Sequence, residues 1–563
     1  MNQEMIEKRY EYWLAYASEA VRLQLKAMKD RPEEKEDAFY RSLAFGTGGL
    51  RGVLGAGTNR MNVHTVAHAS QGLADYVNGH FPPEGRSIAI SYDSRIQSDE
   101  FARTAAAVFA ENGIRVHLYR QLMPTPCLSY AVRALGCAAG VMVTASHNPA
   151  KYNGYKVYGP DGCQITTEAA ADILAAIERL DMFADVKQGD FDRLLAEGRI
   201  RYIDEQVYTD FVNEVKAQSV LAPGEALNRD IAIVYSPLNG TGLRPVLRTL
   251  RESGFTRITV VPEQEQPDGR FPTCPYPNPE IREAMELGIA CAKAQQAELL
   301  MATDPDCDRC GIAVREPDGE YTLLTGNETG LLLLEYICRR RTERGTMPAH
   351  PVMVKTIVTT DLAERIAKAY HVETVNVLTG FKFIGEVIGR LEQAGRVGDY
   401  IFGFEESYGY LSGTYVRDKD AVNAALLIAE MFAWYHQQGI SLTEALRRLY
   451  AAYGYCLNTL RSYTFEGSAG LERMREIMRS LRSLGNRLGD FDIAETLDYA
   501  GGLNGLPPSD VLRFALADGS SIVVRPSGTE PKVKVYISAA APDAEEAQRK
   551  AEWMIAAVNQ YIQ

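Results

Sequence analysis

The sequence predicts an α/β protein in which three similar α/β domains with mixed, largely parallel sheets are followed by a C-terminal α+β domain. Three observations lead to this prediction. A chain of 563 residues, 46% of them hydrophobic, has the length and apolar content for about four domains of ordinary size. One order of strand, helix and strand recurs three times. Beyond about residue 456 that order gives way to closely spaced strands.

The first 40 residues predict a helical extension ahead of the first domain. Apolar side chains recur there at the spacing of one helix face, at Tyr10, Trp13, Leu14 and Ala17. The segment 31–37 is almost entirely charged and contains a proline, which predicts a linker. Residues 1–40 are therefore assigned to an N-terminal helical extension packed on the first domain.

The repeated unit is a buried strand, a helix that ends in glycine or a polar residue, and a second strand. Continuous apolar strands joined by helices are typical of parallel β-α-β units covered on both faces. The three copies occupy residues 87–119, 230–261 and 351–377. They place the three α/β domains at residues 41–210, 211–325 and 326–455.

The C-terminal region, residues 456–563, predicts an antiparallel sheet with helices. A strand and a helix at 471–482 precede two strands, 512–516 and 521–524, which the turn 517–520 joins. A third strand at 533–537 and an amphipathic helix at 544–561 follow. Strands and helices in this order are typical of an α+β domain.

The net charge and the composition limit the binding partners and the cellular compartment that suit this protein. A net charge of -13 argues against a nucleic-acid or anionic-membrane partner, because both require a surplus of Lys and Arg. No segment approaches the roughly 20 apolar residues that cross a bilayer. Nine scattered cysteines suit a reducing compartment, and we expect a cytoplasmic protein that is a monomer or weak homodimer.

A reactive serine is predicted where the apolar strand 141–143 ends in the run Thr144-Ala145-Ser146-His147-Asn148-Pro149. No G-x-S-x-G elbow is present, and a histidine directly adjacent in sequence is badly placed as the base of an acyl-transfer triad. The pattern therefore favours Ser146 as a phosphoryl acceptor.

An acidic loop follows another apolar strand and carries Asp304, Asp306 and Asp308 at alternate positions. Three hard oxygen ligands favour Mg²⁺. An EF-hand would need Gly and Glu where the sequence has Arg309 and Arg315, so that alternative fails. Cys307 and Cys310 have C-x-x-C spacing, but no second pair completes a zinc site, which favours a packing role for both thiols.

Two further segments carry groups suited to a sugar phosphate. Gly403-Phe404-Glu405-Glu406-Ser407 places Glu405 and Ser407 on one side of an extended loop, where a carboxylate can accept from two vicinal hydroxyls. Arg525, Ser527, Gly528 and Thr529 combine a guanidinium with hydroxyls and backbone N–H groups, which suits a phosphate. The loop 46–52 lacks the Lys-Ser/Thr pair of a P-loop, so nucleotide binding is not favoured.

These four motifs, in this order, resemble the α-D-phosphohexomutase superfamily. Its members move a phosphoryl group between the 1 and 6 positions of a hexose through an enzyme phosphoserine and a bisphosphate intermediate. The residues 403–410 and 415–420 resemble the phosphoglucomutase and phosphopentomutase branch. The resemblance covers the chain from Gly46 to about Tyr536 and implies an active site in the central cleft between the four domains.

The resemblance also implies residue roles. The catalytic residues would be Ser146, Lys156 and His147; the choice of general base between Lys156 and His147 stays open, with Lys156 favoured. Mg²⁺ would be held by phosphorylated Ser146 with Asp304, Asp306 and Asp308, and glucose 1,6-bisphosphate would act as an activator. The implied substrate contacts are Arg51, Asp308, Arg309, Thr379, Glu405, Ser407, Lys419, Arg525, Ser527, Gly528 and Thr529.

The leading functional prediction is an intramolecular phosphotransferase that interconverts α-glucose 1-phosphate and glucose 6-phosphate. Phosphopentomutase activity and synthesis of glucose 1,6-bisphosphate are alternatives within the same branch, because the residues around Ser146 would be shared. A catalytically dead phosphosugar-binding regulator is a distant alternative, since Ser146, the three aspartates and Arg525 are all intact.

Overall fold

The computed structural model describes residues 3–46, 48–222, 224–465, 467–527 and 532–562. Contacts divide the chain into two compact units. The first unit contains residues 1–324, 384–400 and 408–434, and the second contains residues 325–383, 401–407 and 435–563. Among the helices of the described residues, none is both long and apolar enough to cross a membrane.

The N-terminal extension consists of three helices that share a small core. They are α1 Gln3–Tyr16, α2 Glu19–Ala27 and α3 Pro32–Phe39. Helix α3 occupies the segment predicted to be a charged linker, so that prediction was wrong. Pro32 lies in the first turn, where its missing N–H would be unpaired anyway, and Glu33 and Glu34 favour the positive end of the helix dipole. Phe39 is fully buried and packs edge-on against Trp13.

His64 attaches this extension to the first domain. Its Nε2 accepts the backbone N–H of Ser18 at 2.9 Å, and its ring packs against Trp13 and Phe183. Burial lowers the pKa of His64 to about 4. The imidazole is therefore neutral near pH 7, with Nε2 as the acceptor.

We expect the free energy of unfolding to depend on the titration of His64. Between about pH 6.5 and pH 4 the unfolded chain binds a proton at His64 that the folded chain does not bind, so stability falls as pH falls through this window, by about 2 kcal/mol. Urea unfolding of the wild type and of His64→Gln, compared across this pH range, measures the effect. An equal pH dependence in the two proteins would contradict the prediction.

The first α/β region contains a six-stranded mixed sheet in the order β1-β5-β4-β2-β3-β6. Its elements are β1 Gly49–Val53, α4 Val63–His80, β2 Ser87–Tyr92, α5 Ser98–Glu111, β3 Arg115–Leu118, α6 Thr125–Ala134, β4 Ala139–Val143, β5 Tyr152–Tyr158, α7 Thr167–Glu178, α8 Phe191–Ala196, β6 Ile200–Tyr202 and α9 Glu205–Ala217. Strand β2 is parallel to both β3 and β4, whereas β5 runs antiparallel to β4 and β1. A large apolar core packs the helices on this sheet.

The second α/β region contains a five-stranded mixed sheet in the order β11-β10-β9-β7-β8. Its elements are β7 Ile233–Ser236, α10 Leu243–Glu252, β8 Ile258–Val260, α11 Pro262–Glu265, α12 Arg282–Gln295, β9 Leu299–Thr303, β10 Cys310–Arg315 and β11 Tyr321–Leu324. Strand β7 is parallel to β8 and β9, and β10 turns back antiparallel to β9. The loop between β9 and β10 carries the three aspartates.

The third α/β region contributes residues to both units. Its elements are α13 Gly326–Glu343, β12 Val352–Thr356, α14 Leu362–Ala369, β13 Glu373–Val377, α15 Phe381–Gln393, β14 Tyr400–Glu405, β15 Gly409–Leu411, α16 Ala421–Gln437 and α17 Leu442–Tyr453. Strands β12 and β13 are parallel, as a β-α-β unit requires.

The C-terminal region forms an antiparallel six-stranded sheet in the order β16-β21-β20-β19-β18-β17. Its elements are β16 Tyr455–Thr464, α18 Gly467–Arg482, β17 Arg487–Leu488, β18 Phe491–Asp498, β19 Leu512–Leu516, β20 Ser521–Pro526, β21 Lys532–Ala541 and α19 Ala544–Ile562. Helices α18 and α19 cover one face of the sheet around a core of their own. The predicted α+β domain is therefore confirmed.

Candidate active site

Ser146 lies in the turn that connects β4 to β5, and it is almost completely buried. Its φ of 53° is in the left-handed region, which a serine adopts only where the surroundings impose it. The Ser146 N–H donates to Thr144 Oγ1 at 2.8 Å, which fixes the turn. Gly154 allows the backbone to pass close by, since a Cβ there would lie 2.4 Å from the Thr144 carbonyl oxygen. The sequence therefore presents one hydroxyl at the end of an apolar strand.

The acidic loop between β9 and β10 folds three carboxylates into one cluster. Asp304, Asp306 and Asp308 are all buried, and one oxygen of each lies within 4.8 Å of the others. Asp304 Oδ1 accepts the backbone N–H groups of Asp308 and Arg309 at 3.1 and 3.0 Å. Asp306 Oδ1 and Asp308 Oδ1 have no hydrogen-bond donor in the described structure. Buried carboxylate oxygens that lack a donor fit a divalent cation such as Mg²⁺.

The serine and the acidic loop meet within the first unit. Ser146 Oγ donates to Asp304 Oδ2 at 2.9 Å, although the two residues come from different α/β regions. His147 Nδ1 lies 3.2 Å from the same Oγ. Burial, reinforced by the nearby Arg309 and Arg51, holds the pKa of His147 well below its usual value. His147 is therefore a neutral imidazole beside the hydroxyl.

Two lysines compensate part of the negative charge of the cluster. Lys156 Nζ donates to Asp306 Oδ2 at 2.8 Å and lies 3.6 Å from Asp308 Oδ2, and Lys419 Nζ lies 3.1 Å from the same Asp308 oxygen. Burial opposes the charge of Lys156, but Asp306 and Asp308 outweigh it and raise the pKa of the lysine. Lys156 is therefore an ammonium group in this arrangement.

The aspartates themselves differ in electrostatic environment. Burial, followed by repulsion from Asp306 and Asp308, raises the pKa of Asp304 well above its ordinary value. Burial also disfavours the charge of Asp306, but the Lys156 ammonium outweighs it and holds the pKa of Asp306 below the ordinary value. The raised pKa of Asp304 thus reflects the crowding of three buried carboxylates, a repulsion that a bound cation would relieve.

Arginines lie next to the serine turn and the acidic loop. Arg309 forms an ion pair with Glu280, and its Nε lies 3.9 Å from Asp308 Oδ1. Arg51, on β1, donates to Asn148 Oδ1 at 3.4 Å. Both of these arginines, which the resemblance implied to be substrate contacts, therefore lie with Ser146 in the first unit.

The second unit holds the remaining sugar and phosphate residues. Glu405 Oε1 accepts the backbone N–H of Gly380 at 2.9 Å, and Arg525 donates to Thr379 Oγ1. Burial, then the charge of Glu406, raises the pKa of Tyr536 to about 12. Glu405, Thr379 and Arg525 are thus neighbours within this unit.

Other predicted residues of the second unit are less completely described. Ser407 follows β14 and is half-buried, and the Ser527 N–H donates to the Lys532 carbonyl at 2.7 Å. Gly528 and Thr529 lie outside the described residues. Glu406 contacts Thr356 and Thr359 through Oε2 at 3.3 and 3.2 Å.

Three residues near the site had no role predicted from sequence. Tyr158 donates to Asp418 Oδ2 at 2.8 Å, and Asp418 Oδ1 accepts from Lys419 Nζ at 3.0 Å. Tyr158 lies two positions after Lys156 on β5, so strand alternation would have placed both side chains on one face. Glu280 lies in a loop with no periodic pattern, and no sequence signal connects it to Arg309.

The C-x-x-C pair is buried and reduced. Cys307 and Cys310 are both free thiols without solvent exposure, and burial raises the pKa of Cys310 to about 12. A protonated buried thiol is a poor nucleophile and a poor metal ligand. This agrees with the packing role that the sequence favoured.

Four models of the phosphoglucomutase/phosphomannomutase family match the chain. The α/β/α domains I, II and III match residues 42–183, 206–319 and 325–453, and the C-terminal domain matches residues 471–556. The chain belongs to this family. Its phosphoglucomutase relatives include one from Staphylococcus saprophyticus subsp. saprophyticus, 36% identical over 90% of this chain and 92% of that protein. Another, from Staphylococcus aureus strain USA300, is 35% identical over 97% of this chain and 98% of that protein.

Solved structures show the same fold. The phosphoglucomutase pp63/parafusin of Paramecium, in an open form, has a TM-score of 0.69 at 17% identity and covers 92% of this chain and 96% of that chain. An Aspergillus fumigatus N-acetylphosphoglucosamine mutase, in complex with GlcNAc-6P and magnesium, has a TM-score of 0.52 at 17% identity and covers 97% of this chain and 100% of that chain.

The comparisons confirm the predicted family, the fold class and the assignment as a phosphosugar mutase of the phosphoglucomutase type. A buried aspartate triad suited to a metal agrees with membership of this family. The domain boundaries and the roles of individual site residues stay predictions.

Proposed function

We propose that this chain interconverts α-glucose 1-phosphate and glucose 6-phosphate through a phosphoserine at Ser146 and a glucose 1,6-bisphosphate intermediate. One observation carries the proposal: Ser146 Oγ lies 2.9 Å from Asp304 Oδ2, beside the buried triad. A serine held against three clustered carboxylates does not suit acyl transfer, because their negative charge would oppose the oxyanion that forms in that reaction. It suits a phosphoryl group whose charge a cation neutralises.

The proposed metal is Mg²⁺, held by Asp304, Asp306 and Asp308 and by an oxygen on phosphorylated Ser146. Two donor-free carboxylate oxygens in the triad support this ligand set. When bound, Mg²⁺ supplies positive charge that stabilises the transferring phosphoryl group. Arg309 adds a guanidinium on the same side of the loop.

The proposed mechanism contains two phosphoryl transfers. In the first, the 6-hydroxyl of glucose 1-phosphate attacks phosphorylated Ser146. The P–O6 bond forms, the P–Oγ bond breaks, O6 gives up its proton and Oγ takes one up, so that no net proton is gained or lost. In the second, Oγ attacks the 1-phosphoryl of the bisphosphate and O1 takes up a proton. The neutral His147, at 3.2 Å from Oγ, can hold the serine proton. Lys156, favoured from the sequence as the general base, is proposed here as the acid, because its ammonium group can supply a proton to the leaving oxygen.

The second unit is proposed to bind the sugar and its other phosphate. Glu405 would accept hydrogen bonds from the ring hydroxyls, and Ser407 would donate to them. The phosphate would be bound by Arg525, Ser527, Gly528 and Thr529. The hydrogen bonds that join Glu405 to Gly380 and Arg525 to Thr379 support one contiguous binding surface in this unit. Lys419, also proposed as a substrate contact, belongs to the first unit, where its Nζ lies 3.1 Å from Asp308 Oδ2.

The decisive experiment is intact mass spectrometry before and after phosphatase, combined with a coupled assay for glucose 6-phosphate. We expect one phosphatase-sensitive phosphoryl group on Ser146 and turnover that added glucose 1,6-bisphosphate stimulates. Comparing kcat/KM for glucose 1-phosphate and ribose 1-phosphate separates phosphoglucomutase from phosphopentomutase. No phosphoryl group on Ser146 after incubation with glucose 1,6-bisphosphate would contradict the mechanism.

We further propose a cytoplasmic enzyme that acts on small phosphosugars as a monomer or weak homodimer and binds no nucleic acid. Its net charge of -13 supports the last point. Sedimentation of the purified protein with and without substrate tests the oligomeric state.

Removing the Arg525 guanidinium is expected to loosen the bisphosphate. A charge-assisted phosphate contact contributes roughly 1.5 to 3 kcal/mol, so Arg525→Ala should lower kcat/KM for glucose 1-phosphate about ten- to a hundred-fold and create a dependence on added glucose 1,6-bisphosphate. Arg461→Ala, at an exposed position of the same sheet, serves as the control. Unchanged kinetics in Arg525→Ala would show that another group holds the distal phosphate.

A further inference from the structure

Arg95 lies under the serine turn and binds its main chain. Its Nη1 donates to the carbonyl oxygens of Pro149 and Tyr152, both at 3.0 Å. Its Nη2 donates to the carbonyl oxygens of Ser146 and Asn148. One guanidinium thus donates hydrogen bonds to four carbonyls of a single turn. Only 2% of Arg95 is exposed to water, so its Nη1 and Nη2 groups depend on these carbonyls for their hydrogen bonds.

Arg95 is itself held from two directions. Asp93 Oδ2 lies 3.3 Å from Arg95 Nε, and Asp93 Oδ1 accepts the Arg95 backbone N–H at 2.9 Å. The guanidinium also lies 5.0 Å from the ring centre of Phe271, and the Arg95 backbone forms an isolated bridge with Gly269. Gly269 and Phe271 belong to the second α/β region, which also carries the acidic loop. Arg95 therefore connects the serine turn to the region that holds the aspartates.

Keeping a cation in this buried place is energetically costly. Burying a guanidinium is unfavourable unless it is paired and fully hydrogen-bonded, and an apolar side chain would fill the space without that penalty. The planar fork of arginine can bind several carbonyls at fixed angles, which a lysine cannot. The turn it binds contains Ser146 in a left-handed conformation, which needs external support.

We propose that Arg95 is a positioning residue for phosphoryl transfer at Ser146. By fixing the carbonyl of Ser146 and those of Asn148, Pro149 and Tyr152 that follow it, Arg95 sets the direction of Oγ toward Asp304. Its contacts with the turn are all to main-chain carbonyls, so it acts through the position of Ser146. This inference rests on the proposed function of Ser146.

The expected signature is a loss in kcat without a change in substrate binding. Displacing a reacting group by about 1 Å can cost on the order of 100-fold in rate. Arg95→Met should therefore lower kcat about 100-fold, and Arg95→Lys, which keeps the charge but not the fork, about 10-fold. The KM for glucose 1-phosphate should stay within about two-fold of the wild type, since the phosphate and sugar contacts are intact.

A matched control exists in the same sheet region. Arg86 also donates to two backbone carbonyls, those of Phe81 and Asn78, both at 2.9 Å, but far along β2 from the serine turn. Arg86→Met removes an arginine with similar backbone contacts and should leave kcat unchanged. Hydrogen exchange of residues 144–152 should be faster in both Arg95 variants and unchanged in Arg86→Met.

The experiment measures kcat, KM, phosphorylation of Ser146 by glucose 1,6-bisphosphate and hydrogen exchange in all four proteins. The proposal is supported if Ser146 is phosphorylated more slowly in Arg95→Lys than in the wild type, and more slowly still in Arg95→Met, while KM stays unchanged. Kinetics of both Arg95 variants equal to those of Arg86→Met would overturn it. Failure of both Arg95 variants to fold would also overturn it, because Arg95 would then be required for the fold and not for the turn. A wild type that is never phosphorylated on Ser146 would refute the proposed function instead.

Discussion

Ser146→Ala is expected to abolish mutase turnover while the protein stays folded. The substitution removes the only atom that the proposed mechanism phosphorylates, and loss of a catalytic nucleophile lowers kcat by at least about 10⁴-fold. Its effect on stability should be small, because the hydroxyl takes part in two hydrogen bonds, with Asp304 and with His147, each worth about 1 kcal/mol. Coupled assay of glucose 6-phosphate, with circular dichroism and urea unfolding, measures both quantities.

Ser87→Ala provides the control for this prediction. Ser87 is buried like Ser146, but it is the first residue of β2, whereas the serine turn follows the last residue of the neighbouring parallel strand β4. It should keep wild-type turnover and its phosphoryl group, whereas Ser146→Ala should carry none by intact mass. Isomerisation by Ser146→Ala at a rate near that of the wild type would remove the basis of the phosphoserine mechanism.

The local parts of the site could be predicted from sequence, because each depends on neighbours along the chain. The apolar run before Thr144 predicted a strand that ends at a reactive serine, and β4 ends at Val143. The alternation of Asp304, Asp306 and Asp308 predicted a common direction for their carboxylates, and the loop gathers them within 4.8 Å. Such patterns follow from strand geometry and turn composition alone.

The contacts between distant segments could not be predicted, because they depend on how the sheets pack. The sequence gives no sign that Lys419 lies 3.1 Å from Asp308 or that Arg95 supports the turn of Ser146. The residue roles in the sugar and phosphate segments came from the resemblance to a family, because short loops lack the repeating pattern that predicts which side chains share a face.

The wrong prediction at residues 31–37 has a local cause. The proline and the charges suggested a linker, yet Pro32 in the first turn and acidic residues behind it also start a helix. The two residues that follow this segment, Ala38 and Phe39, favour the helix because they are buried in the N-terminal core. A helix that buries one end can carry an otherwise charged sequence, because tertiary packing supplies most helix stability.

Asp306→Asn is expected to weaken Mg²⁺ binding and to lower turnover by about 10³-fold. Asp306 Oδ1 has no hydrogen-bond donor, and the amide that replaces it carries no charge to attract a cation or to balance Lys156 at 2.8 Å. Titration calorimetry should show the weaker binding, and the rise in Tm that Mg²⁺ gives the wild type should disappear. Asp318→Asn, in an exposed turn of the same domain, should behave as the wild type. If Asp306→Asn bound Mg²⁺ normally, or if the wild type kept full activity in excess EDTA, the triad would not be the metal site.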